Sequence, residues 1–122
     1  MSHIVQIKTE VRELASIQAA CVRNRLTEPV HGTVQLYSSA ATGWQVQLPD
    51  WRYPVVCHTD TGQLSYDNYE GRWGDPVHLN SFLQSYAVEQ TRRIARRQGY
   101  SLTEQRLSDG SVKLLLQTGG VA

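Results

Sequence analysis

The chain is predicted to be an α+β domain with the element order β-α-β-β-β-β-α-β-β, a largely antiparallel sheet carrying two helices on one face. Three observations predict it. Only two segments carry apolar residues at three- and four-residue steps, too few helices for a doubly wound fold. The middle of the chain alternates apolar and polar residues with the period of a half-buried antiparallel strand. Turn residues punctuate that middle at short intervals, as a meander requires.

The elements follow in order. His3 to Val11 reads as a strand, with Ile4, Val5 and Ile7 leading it. Leu14, Ile17, Ala20 and Cys21 give a helical face over about Glu13–Asn24, with no Ser, Thr, Asp or Asn cap at its start. Leu26–Gly32, holding Pro29 and Gly32, is a connector. Thr33–Tyr37 places Val34 and Leu36 on one side of a strand. Ser38–Gly43 suits a hairpin loop, and Trp44–Leu48 points Trp44, Val46 and Leu48 one way. Pro49-Asp50 breaks that strand, Tyr53–His58 is the next, Thr59–Gly62 is a tight turn, and Gln63–Asp67 is a further strand.

Asn68–Gly74 reads as a loop. Asp75-Pro76 then starts a helix strongly, because Asp accepts from orphan N–H groups and Pro at the first position lacks only a donor that had no partner. Leu79, Phe82, Leu83, Tyr86, Ala87, Gln90 and Ile94 form its expected apolar arc, with Gly99 past its end. Tyr100–Leu107 and Val112–Gln117 close the chain as a hairpin around Ser108-Asp109-Gly110. Residues 1–122 form one domain, with 118–122 expected to fray.

Composition narrows the function classes. Twelve Lys plus Arg against 11 Asp plus Glu exclude capture of a nucleic acid or a membrane by bulk charge. Nothing in Met1–Glu10 forms a signal-peptide core, and no run approaches a membrane span, so a cytoplasmic setting, or its plastid stroma equivalent, is expected. Cys21 and Cys57 are isolated and the four histidines have no ligand spacing, so no disulfide, metal or cofactor is expected. Of the 12 cations 10 are Arg, and of the 10 aromatics seven lie between Tyr37 and Trp73.

Three runs carry a family resemblance: the opening Met1-Ser2-His3-Ile4-Val5, the run Trp51-Arg52-Tyr53-Pro54-Val55-Val56-Cys57, and Tyr66-Asp67-Asn68-Tyr69-Glu70-Gly71-Arg72-Trp73-Gly74. Together they resemble domain-of-unknown-function family 1257, related to hypothetical chloroplast open reading frame thirty-five of cyanobacteria and algal plastids. The resemblance spans nearly the whole chain. It implies an uncharacterised small protein and transfers no catalytic residues.

The Tyr66–Gly74 run is the leading candidate site. Tyr66, Asp67, Asn68, Tyr69, Arg72 and Trp73 combine large contact area, hydrogen-bonding handles and cation–π capacity, the chemistry of interface hot spots. The same loop could instead fold its aromatics inward to plug the core. Trp44, Trp51 and Tyr53 are expected to pack on the sheet. A non-enzymatic module that contacts an unidentified protein, or a second copy of itself, is the first reading. Arg92, Arg93, Arg96 and Arg97 offer the alternative of phosphate contacts to a nucleic acid, though cations in a last helical turn also favour the macrodipole. A third reading is an enzyme using Cys57, or the carboxylates Asp60, Asp67, Glu70 and Asp75. Strand neighbours point to opposite faces, however, so Cys57 and His58 cannot pair directly and no catalytic residue is assigned.

Overall fold

The computed structural model describes residues 5–8 and 10–117. The observed order matches the expected one: β1 (Val5–Lys8), α1 (Leu14–Arg23), β2 (Val30–Gln35), β3 (Ala40–Val46), β4 (Val55–His58), β5 (Gln63–Tyr66), α2 (Pro76–Arg97), β6 (Ser101–Arg106) and β7 (Val112–Gln117). A single 3-10 turn, Tyr69–Gly71, interrupts the loop before α2. All strand pairings are antiparallel, but they form two sheets, one of five strands in the order β1-β5-β4-β3-β2 and a separate β6–β7 ribbon. His3, Ile4 and the tail 118–122 lie outside the described residues. The largest boundary difference is the first hairpin. Its strands begin at Val30 and Ala40, so the loop is four residues, 36–39, instead of Ser38–Gly43.

Both helices cover one face of the five-stranded sheet, as predicted. Trp44, Val46, Val55, Cys57, Leu64 and Tyr66 share that face by register and join Ile17, Ala20 and Cys21 of α1 and Leu79, Phe82 and Tyr86 of α2 in one core cluster. The apolar arc of α2 is rotated from the expected one. Ala87 and Ile94 are exposed, whereas Ser85, Val88 and Ala95 are buried. The second partner of the helix, the β6–β7 ribbon, explains the rotation. Glu104 of β6 pairs with Arg92 of α2 and Arg23 of α1, so the side of α2 read as solvent-facing lies under the ribbon.

The segment that leads into α1 is tied to α2. The Tyr86 hydroxyl accepts from the backbone N–H groups of Arg12 and Glu13 at 3.1 and 3.2 Å and donates to the Glu10 carbonyl at 3.2 Å. Buried backbone donors need an acceptor, and for these two it comes from across the core. Asp75 caps α2 as predicted, its Oδ1 accepting from Val77 N–H at 3.0 Å.

The sheet's second face is closed differently. Along the β2–β3 hairpin, Thr33, Gln35, Ala40 and Thr42 are exposed, whereas Val34 and Ala41 are half-buried and Gly43 and Leu36 are buried. The hairpin is therefore concave on the side away from the helices. Its tip would lie past the His58 end of β4 in a flat sheet, yet the Tyr37 ring sits 5.3 Å from that of Trp73, which is itself 5.8 Å from Tyr53 before the other end of β4. The hairpin curls across the second face and roofs Val56, Ser65 and Asp67, which are 0–3% exposed. Gly43 sits opposite Gly32 at this bend, and a Cβ on Gly43 would meet the Cys57 carbonyl oxygen at 2.6 Å.

Candidate functional site

The Tyr66–Gly74 run divides between core and surface. Tyr66, Asp67 and Asn68 are at most 9% exposed, which corrects the expectation that they belong to a contact surface. The physical reason is the tight turn that follows β5. Asp67 Oδ1 accepts from Tyr69 N–H, the Asn68 carbonyl accepts from Gly71 and Trp73 N–H, and the Asn68 amide donates to the Gly74 carbonyl. These bonds draw the first three side chains inward. The turn carries three consecutive positive φ angles, 46° at Tyr69, 53° at Glu70 and 94° at Gly71, so two non-glycine residues hold a conformation that ordinarily costs about 1–2 kcal/mol each.

Gly74 then lies against the indole of Trp51, which is buried as expected: a Cβ at Gly74 would fall 2.3 Å from Trp51 Cδ2. Trp51 donates its Nε1–H to the Asp75 carbonyl at 3.0 Å, tying the loop to the start of α2. The Arg52 N–H donates to the Trp73 carbonyl at 2.8 Å and ties it to the segment before β4. The loop is thus anchored at both ends.

What remains at the surface is a ring cluster centred on Trp73. Tyr69, Tyr37 and Tyr53 surround it with ring centroids 4.8, 5.3 and 5.8 Å away, the Tyr69 and Tyr53 rings edge-on. The Arg52 guanidinium stacks 4.7 Å from the Trp73 centroid, and Arg72 lies 5.2 Å from that of Tyr69. Both arginines are exposed, Tyr37 is 57% exposed, and Tyr53, Tyr69 and Trp73 are half-buried. Neither guanidinium meets a carboxylate among the described residues, whereas Arg12, Arg23 and Arg92 all do. Edge-to-face rings hold one another in place, and a stacked guanidinium keeps its N–H edge available to an acceptor.

Tyr37, Arg52 and Tyr53 are the members that sequence reasoning missed, and Tyr53 is not the sheet-packing residue it was expected to be. The local signal was slight: Tyr37 and Tyr53 each adjoin a break in strand alternation. Only the curl of the hairpin brings Tyr37 to residue 73.

The other candidates are dispersed. Arg92 is engaged with Glu104, while Arg93, Arg96 and Arg97 line a separate cavity near the end of α2. Cys57 is fully buried, and burial, with Cys21 nearby, pushes its thiol up to about 12, leaving negligible thiolate near neutral pH. Desolvation likewise pushes Cys21 up to about 11. His58 Nε2 hydrogen-bonds Ser65 Oγ at 2.7 Å on the face away from Cys57. Asp60 and Asp75 are occupied with backbone N–H groups of their own turns, and among the described residues no group of three His, Cys, Asp or Glu could hold a metal. No described helix is long and apolar enough to cross a membrane. No family model, curated protein or solved structure matches the chain.

Proposed function

We propose that this protein is a non-enzymatic interaction module whose contact surface is Tyr37, Arg52, Tyr53, Tyr69, Arg72 and Trp73. The observation that carries the reading is the pair of ring-stacked arginines with no carboxylate partner among the described residues, set on half-buried aromatics that pack against one another. Such a surface gives large contact area at small entropic cost, and it favours a protein partner offering carboxylates beside an apolar side chain. Stacked bases are a poorer fit, because Arg52 already covers the Trp73 ring. Burial of Cys57 and its raised pKa weigh against a thiol enzyme. A second copy of the chain is the alternative partner.

The test is affinity capture from a host lysate with the wild-type chain and with an Arg52→Ala/Arg72→Ala double variant. Both substituted side chains are exposed, so the fold is expected to survive, as far-UV circular dichroism would verify. The expected result is retention of the thermal midpoint with loss of a captured protein by roughly tenfold or more. Equal capture by both proteins would overturn the reading, and sedimentation of the two proteins alone would separate self-association from a foreign partner.

A further inference from the structure

The β6–β7 ribbon is a sheet of its own, and among the described residues no third strand pairs with either of its outer edges. Glu104 of β6 is bound to Arg92 of α2 and Arg23 of α1, so β6 is the strand anchored on the helices. Leu107 N–H donates to the Ser111 carbonyl, which makes that pair hydrogen-bonded and sets the alternation along the ribbon. In this register the N–H and C=O groups of Leu102, Glu104 and Arg106 turn away from β7. Those of Val112, Leu114 and Leu116 turn away from β6. Each row is a template for another strand.

The two rows differ in charge. Antiparallel pairing of β6 with its own copy about its middle sets Glu104 opposite Glu104, a like-charge contact that opposes association. The β7 row carries no charge. Pairing about Leu114 sets that residue opposite its counterpart, Val112 opposite Leu116, and Lys113 opposite Leu115, so no like charges meet directly. All three outward residues then exchange backbone hydrogen bonds with the second strand. Leu115 and Leu116 are 46% and 49% exposed and point to opposite faces of β7, so pairing covers apolar surface on both. A two-stranded ribbon is marginal alone, whereas three or more strands with an apolar face hold together.

From this self-complementarity we propose that a second copy of the chain pairs with β7, joining two ribbons into one four-stranded antiparallel sheet in the order β6-β7-β7-β6. The two-fold arrangement uses each β7 edge once, so assembly closes at the dimer. The outer strands of the joined sheet are the β6 strands, whose edges carry Glu104 and Arg106, and charged residues of this kind discourage further addition. This interface shares no residue with the aromatic cluster around Trp73, and the dimer forms whether or not that cluster holds a partner.

The experiment is sedimentation equilibrium of the full chain over a concentration series, with amide exchange followed on the same samples. The apparent mass is expected to rise from 13.8 kDa towards twice that value, while exchange slows at Val112, Leu114 and Leu116. Leu115→Lys, at an exposed position, sets a lysine opposite Lys113 of the other chain, whereas Leu115→Glu sets a carboxylate there. The glutamate variant should dimerise more tightly than the lysine variant by roughly tenfold, because each pairing occurs twice in the dimer. Arg52→Ala/Arg72→Ala should dimerise like the wild type. A chain that stays monomeric throughout overturns the proposal, as do equal dimerisation constants for the two Leu115 variants. So does a dimer that Arg52→Ala/Arg72→Ala abolishes, which would locate self-association at the aromatic cluster instead.

Discussion

The two faces of the five-stranded sheet each bury side chains at their centre, by opposite means. The first is covered by two helices whose apolar side chains interlock with Trp44, Val46, Val55, Cys57, Leu64 and Tyr66 in one cluster. Hydrogen bonds brace the helix pair, from Ser16 Oγ to Gln90 Oε1 at 2.7 Å and from the Asn24 amide to Ser85 Oγ at 2.8 Å. The second face has only a folded-over hairpin for a roof, and what it hides is partly polar: Ser65 and Asp67 beside Val56 and Leu36, with one Asp67 carboxylate oxygen left without a hydrogen bond. Burying an apolar cluster stabilises a fold, whereas hiding a carboxylate costs free energy unless it is satisfied. The difference teaches that the helix face carries the stability of the molecule and the hairpin face positions the candidate contact surface, since the hairpin tip delivers Tyr37 to Trp73.

Three substitutions break or sharpen this comparison. The largest effect belongs to Phe82→Ala, which opens a cavity in the helix-covered cluster. It should lower the free energy of unfolding in urea by about 3–5 kcal/mol, with the Trp73 indole resonance unmoved while the protein remains folded. Leu36→Ala should cost less, about 2–3 kcal/mol, yet should shift that resonance, because the roof then loosens at its tip. Equal shifts from the two variants would erase the distinction between a stabilising face and a positioning one. Tyr86→Phe should have the smallest effect, about 1 kcal/mol from the lost hydrogen bonds, together with faster amide exchange at Arg12 and Glu13.

The fold was legible in the chain wherever its cause was local. Asp75-Pro76, Gly99 and Asp109-Gly110 each act within a few residues and each led to an element boundary in the right place, whereas the alternation around Trp44–Leu48 found β3 but not its start at Ala40. The anchor of the segment before α1 was invisible because it is the hydroxyl of Tyr86, 73 residues from Glu13. The register of α2 was misjudged at Ala87, Val88 and Ile94 because the β6–β7 ribbon, a neighbour later in the chain, decides which side is covered. The candidate surface was half legible. Tyr69, Arg72 and Trp73 stood out as a local run, but Tyr37 joins them only through the curl of the β2–β3 hairpin, and Arg52 and Tyr53 from the segment before β4.

That bend also bears on solubility. Strand β2 forms an outer edge of the five-stranded sheet, where a straight row of unpaired N–H and C=O groups would invite another chain to extend it. Folding the edge back on itself interrupts the row, so an incoming strand could pair with only a short stretch before its path diverged. The hairpin's curl therefore also guards against fibrous edge-to-edge growth.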